Sequence, residues 1–238
     1  PRRSIRRARE DLSAFLAALC GWTFEVGGPE TGYYTMAFSN GAPVAAINTD
    51  ENGAGIWVPY FAAPDITATV AAVGAAGGQV FMGPMQVMAA GTMALALDPT
   101  GAVFGLWQAD DFAGFGAFGR FDAPCWFDHQ SQAPADAAAF YSAAFGITAD
   151  NRFGPGTFIL ADGEAIYASI SNGPADARPY WNAIIATSSY EESEAKAVAA
   201  GGTVLMSGMQ VPGGTASAVA SPGGVVVTVF DSPEMPGR

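Results

Sequence analysis

The sequence predicts an α+β protein made of two copies of one domain, and two observations support this. Residues 75–87 return 124 positions later as residues 199–211, with nine of the thirteen positions identical. Within each copy, the order strand, helix and two or three further strands occurs twice. The period is too long for a solenoid repeat, and a copy of about 115 residues has an ordinary domain size. We therefore expect four modules, two in each copy.

The repeat sets the expected domain boundaries. Trp57 matches Trp181, and the turn at residues 98–101 matches residues 221–224. The first copy spans residues 1–108, and the second spans residues 123–238. Residues 109–122, rich in Gly and Phe, form the expected linker.

The elements of the second copy follow from alternation, helix stops and turn residues. The predicted strands are 125–129, 157–160, 165–170, 181–186, 204–206, 216–220 and 225–230. The predicted helices are 137–145, which ends at Gly146, and 189–200, which ends at Gly201 and Gly202. Glycine ends helices because it adopts the left-handed conformation without strain.

The first copy has the same order except at its beginning. Its predicted helices are 11–19 and 65–76, and its predicted strands are 33–38, 44–47, 56–62, 80–82, 93–97 and 103–108. Residues 1–4 match the first strand of the second copy, but their sequence is Pro-Arg-Arg-Ser. Either this strand is missing or the basic segment extends the helix.

Charge and composition exclude several kinds of partner. The net charge of -12 argues against nucleic acid. No apolar run reaches the roughly 20 residues that span a bilayer, so we expect no membrane insertion. Cys20 and Cys125 lie at non-equivalent places in the two copies and are expected to be reduced. No signal peptide is visible, which favours a cytoplasmic location, although the chain begins at Pro1 and leaves open what precedes it.

Two stretches carry a family resemblance. Residues 98–108 (DPTGAVFGLWQ) and 139–146 (AFYSAAFG), with the Gly-Gly pairs and the paired modules, resemble the vicinal oxygen chelate superfamily. This superfamily includes glyoxalases, extradiol dioxygenases and bleomycin-resistance proteins, and the tandem arrangement is similar to actinobacterial glyoxalase-like proteins. The resemblance implies two cup-shaped half barrels, each from two modules, with a small-molecule site in the cup. Fusion replaces dimerisation, so a monomer is expected.

The resemblance also makes a metal site testable by position. Metal-dependent members carry His, Glu or Gln on the first and last strands of their modules. The corresponding positions here are Arg2, Pro59, Phe127, Ala183, Gly105, Thr228, Ala45 or Ala46, and Tyr167 or Ala168. These residue types do not form a divalent-metal site, and a slip of the alignment recruits mainly His129 and Asp128. We therefore predict no catalytic metal and no other cofactor.

His129, the single histidine, and Asp128 are the candidate catalytic residues. Alternation along the strand puts His129 on the face of Phe127, which we expect to be the cup face, and Asp128 on the other. His129 is then either a general base or ligand contact, or a structural histidine whose hydrogen bonds are satisfied inside the protein.

Aromatic and small residues at the expected cup positions predict a dry, apolar cavity. The candidate ligand-binding residues are Trp57, Tyr60, Met85, Gly105, Trp107, Phe127, Tyr167, Trp181, Met209, Thr228 and Phe230. Such a cavity suits a flat apolar ligand, although each aromatic side chain could equally belong to the core.

Three functions follow from these expectations. The first is metal-independent binding of an apolar or aromatic natural product, for antibiotic self-resistance, sequestration or presentation to a partner oxygenase. The second is a metal-free tailoring enzyme of antibiotic biosynthesis that catalyses hydroxylation, cyclisation or isomerisation. The third is a metal-dependent glyoxalase or dioxygenase, which would require metal ligands at positions other than those given above.

Overall fold

The computed structural model describes residues 2–48, 55–152, 154 and 156–234, with side chains from residue 5 onward. Pro1, at the predicted altered strand, lies outside the described residues. The α+β prediction is confirmed. The helices are α1 (Arg2–Cys20), α2 (Ile66–Ala75), α3 (Pro134–Phe145) and α4 (Tyr190–Ala199). One helix therefore falls in each expected module.

Fifteen strands are formed in the described part of the chain. Those of the first copy are β1 (Thr23–Val26), β2 (Thr35–Ser39), β3 (Ala42–Ile47), β4 (Tyr60–Ala62), β5 (Gln79–Val87), β6 (Gly91–Leu97) and β7 (Val103–Ala109). Those of the second copy are β8 (Pro124–Ser131), β9 (Thr148–Asp150), β10 (Thr157–Asp162), β11 (Ala165–Asn172), β12 (Tyr180–Thr187), β13 (Thr203–Val211), β14 (Gly214–Ala220) and β15 (Val226–Asp231). Alternation did not predict the short strands β1 and β9.

Three modules share one strand order. The orders are β4-β7-β6-β5, β8-β11-β10-β9 and β12-β15-β14-β13. In each, the first strand pairs in parallel with the last strand, and the remaining pairs are antiparallel. The first and last strands of a module therefore lie side by side, which brings distant positions of the sequence together.

The first module differs because a helix replaces its first strand. Helix α1 begins at Arg2, so the basic segment extends the helix, as the second of the two alternatives stated. Arg6 pairs with Glu10 at 2.7 Å and Arg7 with Asp11 at 3.7 Å, both exposed. The sheet of this module contains β1, β2 and β3.

The chain forms two compact units that cut across the repeat. Unit 1 contains Pro1–Ile56, Phe115–Cys125 and Ala183–Arg238, and unit 2 contains Trp57–Gly114 and Trp126–Asn182. Each unit therefore combines one module of each copy. The boundaries 1–108, 109–122 and 123–238 describe the duplication in the sequence, and the packing follows a different division.

The Gly-Gly pairs explain how the modules of each unit fit together. A side chain on Gly78 would place its Cβ 2.8 Å from the ring of Phe140, and one on Gly202 would lie 2.6 Å from the ring of Phe15. Phe15 and Phe140 are equivalent in the repeat, as are the two glycines. The second glycine of each pair therefore lets a phenylalanine of the partner module's helix pack closely.

The core of unit 2 lies between its sheets and contains α2 and α3. Phe104 and Leu106 of β7 and Ile170 of β11 are fully buried in it. Phe61 stacks on Phe145 with a centroid distance of 4.6 Å. Burial of each such side chain stabilises the fold by about 1.5–3 kcal/mol. Each sheet therefore has a helix-facing side in the core and a helix-free side.

Membrane insertion through a helix finds no support in the structure. Among the helices of the described residues, none combines the length and the apolar character that a bilayer span requires.

Candidate functional site

Strand β8 directs its side chains alternately to the two sides of the sheet. Trp126, Asp128 and Gln130 share one side, and Phe127 and His129 share the other. One of these two sets faces the core and the other faces the helix-free side of the sheet.

His129 lies on the helix-facing side, in the core. Its Nε2 atom is 2.7 Å from Oδ2 of Asp98, and both side chains are fully buried. The Tyr141 hydroxyl donates to the same oxygen at 3.0 Å, and Trp181 Nε1 donates to the Tyr141 oxygen at 2.9 Å. Four residues from four elements thus form one buried hydrogen-bonded network.

Both oxygens of the Asp98 carboxylate accept hydrogen bonds. Its Oδ1 atom accepts hydrogen bonds from the backbone N–H groups of Thr100, Gly101 and Ala102 and from the Thr100 hydroxyl. Burial acts to raise the pKa of Asp98, but hydrogen bonds from His129 and Thr100 outweigh it and the pKa lies below its ordinary value. The carboxylate is therefore ionised at neutral pH.

The predicted orientation of β8 is thus wrong. Phe127 and His129 do share a face, but that face is the core, and Asp128 is on the opposite one. The physical reason is that Asp98 supplies a buried anionic partner for the imidazole, which makes burial of His129 acceptable. His129 Nδ1 has no hydrogen-bond partner among the described residues. The structure thus satisfies one ring nitrogen of His129 through Asp98, leaves the other without a partner in the described part of the chain, and buries the ring away from the helix-free face.

The helix-free side of β8 and β11 carries a second network. Asp128 lies beside Ser169 in the parallel register, and Ser169 donates to its Oδ1 at 2.7 Å. Ser171 donates to both carboxylate oxygens, at 3.1 and 3.2 Å, and Gln130 Nε2 donates to Oδ2 at 2.9 Å.

Two aromatic residues complete this network. Trp126 Nε1 donates to Ser169 Oγ at 2.8 Å, and the Tyr180 hydroxyl donates to Gln130 Oε1 at 2.7 Å. We call the set the Asp128 cluster. Its members are Trp126, Asp128, Gln130, Ser169, Ser171 and Tyr180, all half-buried.

The electrostatics of Asp128 differ from those of Asp98. Burial raises the pKa of Asp128 above its ordinary value, although hydrogen bonds from Gln130, Ser169 and Ser171 act in the opposite direction. No Lys, Arg or His side chain within the described ranges forms an ion pair with it. Its direct hydrogen-bond partners are all neutral donors, and His129 on the opposite face of the strand adds a smaller electrostatic contribution that also lowers its pKa.

The donor set does not fit the divalent metal that the resemblance implies. Asp128 occupies the first strand of its module and Ser169 the last, where metal-dependent members carry ligands. One carboxylate beside two neutral hydroxyls is a poor set, because a catalytic metal requires about three strong protein ligands. The described residues contain no group of three His, Cys, Asp or Glu side chains placed to hold a metal ion.

Four of the predicted ligand residues share one face of another sheet in unit 2. Tyr60 lies opposite Gly105, and Trp107 lies opposite Met93, which in turn lies opposite Met85. Tyr60 and Met85 are exposed. A Cβ on Gly105 would overlap the Tyr60 ring, so this glycine makes room for the tyrosine. This apolar face belongs to β4-β7-β6-β5 and not to the sheet with Asp128.

Three further predicted residues lie together in unit 1. Met209 lies opposite Ala216, which lies opposite Phe230, and Thr228 lies opposite Ala218. Met209 and Phe230 are half-buried and Thr228 is buried. Sequence periodicity therefore placed these side chains on a common face.

The remaining predicted ligand residues pack into the unit 2 core or at its margin. Phe127 and Tyr167 contact the core cluster, and Trp181 is a buried member of it. Trp57 is half-buried and forms an isolated antiparallel bridge with Trp181. These positions favour packing over ligand contact for Phe127, Tyr167 and Trp181.

Two shallow surface concavities among the described residues contain none of the predicted ligand residues. One of about 380 Å³ is bordered by Arg6, Arg7, Glu10 and Asp11. The other, of about 250 Å³, is bordered by residues of α3, Ala149 and Phe158. The Asp128 cluster therefore lies on a sheet face and not in either of these hollows.

Most members of the Asp128 cluster are absent from the residues predicted above as site residues. Two alternating patterns signal it, Trp-x-Asp-x-Gln at 126–130 and Ser-x-Ser at 169–171. Both put polar side chains on one face of a strand whose other face is apolar. Asp98 had a different signal, because the repeat has Ser221 at its position and the two copies differ just there.

Comparisons with known proteins agree with the fold. A Mycobacterium tuberculosis protein provisionally named glyoxylase CFP32 is 33% identical over 230 residues, which cover 91% of this chain and 87% of that protein. The anthracycline biosynthesis protein DnrV of Streptomyces peucetius is 29% identical over 238 residues, with 91% and 86% covered. No protein-family model matches the chain.

Solved structures show the same architecture at low identity. The Mn(II)-bound glyoxalase of Novosphingobium aromaticivorans superposes with a TM-score of 0.70 at 19% identity, covering 95% of this chain and 79% of that one. The 2,3-dioxygenase LapB of Pseudomonas sp. KL28 superposes with a TM-score of 0.68 at 11% identity, covering 95% and 89%.

Proposed function

Because the chain belongs to the vicinal oxygen chelate superfamily, whose fold carries many chemistries, we propose that it binds an apolar or aromatic small molecule without a metal. The binding surface is the helix-free face at the Asp128 cluster. The ligand is a natural product of antibiotic biosynthesis, held for self-resistance, for sequestration or for presentation to a partner oxygenase. The name of the Streptomyces relative supports this setting.

The observation that carries the proposal is the Asp128 cluster itself. Small-molecule sites combine aromatic walls with a few fixed polar groups. Trp126 and Tyr180 supply the aromatic surface, and Asp128 and Ser171 supply fixed polar atoms on adjacent strands. Sites built on strands are positioned more rigidly than sites on loops.

The competing surface is the apolar face of β4-β7-β6-β5. Its exposed side chains Tyr60 and Met85 offer apolar contact area to a ligand. The polar anchor that orients a ligand is what favours the Asp128 face. The two surfaces can be distinguished by mutation, because Tyr60 belongs to one and Trp126 to the other.

Native mass spectrometry with a pool of aromatic natural products tests the proposal. We expect an adduct of unchanged ligand mass that is retained in Tyr60→Ala and reduced at least about fivefold in Trp126→Ala. Both changes remove one aromatic ring from a sheet face, so they are matched in kind. Retention in Trp126→Ala with loss in Tyr60→Ala would move the site to the other face. Absence of any adduct would contradict small-molecule binding.

A metal-free tailoring enzyme is the second candidate, and the raised pKa of Asp128 favours it. A carboxylate whose pKa is raised by burial is a stronger base than an exposed one. In this role Asp128 removes a proton from a bound substrate, and the neighbouring serines hold the carboxylate in place. A product of altered mass or altered chromatographic retention in the same experiment, lost in Asp128→Asn, would establish turnover. A ligand recovered with unaltered mass and unaltered retention in every sample would contradict it.

A further inference from the structure

Most hydrogen-bond donors of the Asp128 cluster bond to other members of the cluster. Its side chains offer six donor hydrogens, two of them on Gln130, and five of the six are used within the cluster. The unused one is the second amide hydrogen of Gln130. In contrast, the hydroxyl oxygens of Ser171 and Tyr180 donate but accept no hydrogen bond from the residues that the structure describes. The surface of the cluster therefore presents mainly acceptors.

The charge of the cluster is also uncompensated. Half-buried Asp128 forms no ion pair with any cationic side chain that the structure describes, whereas buried Asp98 is paired with His129. Charges removed from water are normally paired, because desolvation is costly. Asp98 has an imidazole nitrogen as a direct partner, whereas the direct hydrogen-bond partners of Asp128 among the described residues are hydroxyl and amide groups.

Two aromatic side chains belong to the same cluster. The faces of Trp and Tyr rings attract cations, and Trp does so most strongly. The polar atoms of Trp126 and Tyr180 bond to Ser169 and Gln130, each of which donates a hydrogen bond to the Asp128 carboxylate, so each ring is one residue removed from the carboxylate in the network.

We infer that the natural ligand is an aromatic molecule that carries an ammonium group, and that this group pairs with Asp128. The inference rests on the proposed function and specifies its ligand class. The ammonium supplies hydrogen-bond donors to a surface of acceptors and a positive charge to an unpaired carboxylate. The aromatic part of the ligand contacts Trp126 and Tyr180.

Three probes of one shape test this inference. They are 1-naphthylmethylamine, 1-naphthylmethanol and 1-naphthylacetate, which are cationic, neutral and anionic at pH 7.5. Isothermal titration calorimetry on the full chain measures each Kd. We expect the amine to bind at least about tenfold more tightly than the alcohol, equivalent to about 1.4 kcal/mol. The anion should bind most weakly.

Matched variants separate a local effect from a general charge effect. Asp128→Asn removes the charge and keeps the shape, so the affinity for the amine should fall at least about tenfold while that for the alcohol changes less than threefold. Glu164→Gln makes the same charge change at an exposed turn and should leave all three affinities unchanged.

The outcomes distinguish this inference from the proposed function. If the alcohol binds the wild type as tightly as the amine, the charge inference is wrong and small-molecule binding stands. An equal loss in Glu164→Gln and Asp128→Asn overturns the inference as well, because the effect is then the net charge of the protein. If none of the three probes binds at millimolar concentration, both proposals fall.

Discussion

Replacing Asp98 by serine tests whether the buried network holds unit 2 together. The repeat supplies this substitution, because the equivalent turn has Ser221. Both turns are closed by the same backbone bond, Gly101 N–H to Asp98 O at 3.0 Å and Gly224 N–H to Ser221 O at 2.9 Å. A serine is therefore compatible with the turn, because its Oγ can accept from Ala102 N–H as Ser221 Oγ accepts from the equivalent Val225 N–H. Asp98→Ser removes the three other contacts of Oδ1 and, above all, the two bonds to His129 and Tyr141.

The expected cost follows from these two bonds. The His129–Asp98 contact is 2.7 Å and the Tyr141–Asp98 contact is 3.0 Å. A hydrogen bond to a charged group contributes about 1.5–3 kcal/mol, and removing one partner of a buried pair costs about 3–5 kcal/mol. We expect Asp98→Ser to lower the free energy of unfolding by about 3–5 kcal/mol, and the Tm by roughly 6–20 °C.

The same change should depend on pH in a defined direction. The pKa of Asp98 is lowered in the folded protein, so its ionised form contributes stability above the unfolded pKa of about 3.9. That contribution is lost as the pH falls through the folded pKa. The difference between wild type and Asp98→Ser should therefore be complete at pH 7 and become smaller below about pH 4.

Urea denaturation at pH 7 and again below about pH 4 measures the difference in the free energy of unfolding between wild type and Asp98→Ser. Ser221→Ala is the control. Ser221 Oγ accepts one bond, from Val225 N–H at 3.0 Å, so its removal should cost only about 1 kcal/mol. The reasoning is refuted if Asp98→Ser costs no more than Ser221→Ala, or if its cost is the same at acidic pH.

Three more predictions follow from contacts described above. Gly105→Ala should destabilise the protein by about 1–3 kcal/mol, because the added methyl group would overlap the Tyr60 ring. Gly74→Ala, which has open space around the added methyl group, should stabilise helix α2 by about 0.5–1 kcal/mol. Thermal unfolding measures both changes, and a stabilised Gly105→Ala protein would contradict the packing. Burial raises the pKa of the Cys125 thiol to about 12 and also raises the pKa of the Cys20 thiol. A disulfide reagent at pH 8 should therefore label both thiols slowly in the folded protein and rapidly after unfolding. Fast labelling of the folded protein would contradict their burial. Treatment with a chelator should leave probe binding unchanged, and purified protein with one equivalent of zinc, iron, nickel or manganese by elemental analysis would refute the metal prediction.

The sequence predicted the modules because their signals are local. Helix stops at Gly146 and Gly201, and alternation in the strands, depend on neighbouring residues, and the repeat supplied each signal twice. The fold class followed from the order of these elements. Strand β5 extends beyond the predicted 80–82 because it pairs with β6 up to Val87, and such pairing is a tertiary effect.

The site could be predicted only in part, because it depends on contacts between distant residues. Alternation separates Asp128 from His129, but the face that enters the core is decided by Asp98, 31 positions earlier. The Asp128 cluster depends on the parallel register that places Ser169 beside Asp128, 41 positions later. Neither partner has a signal in the sequence near the strand.

The composition of unit 1 has a consequence for synthesis on the ribosome. Its first module, up to Ile56, packs with a module that begins only at Ala183. A nascent chain grows at about 5–20 residues per second, so the first module waits roughly 10–40 s for the last one. Meanwhile the apolar side of α1, with Phe15, Leu16 and Leu19, lacks the cover that it has in the finished protein. Unit 2, complete at Asn182, can fold during this interval, and the first module is the segment of unit 1 that stays longest without its partner.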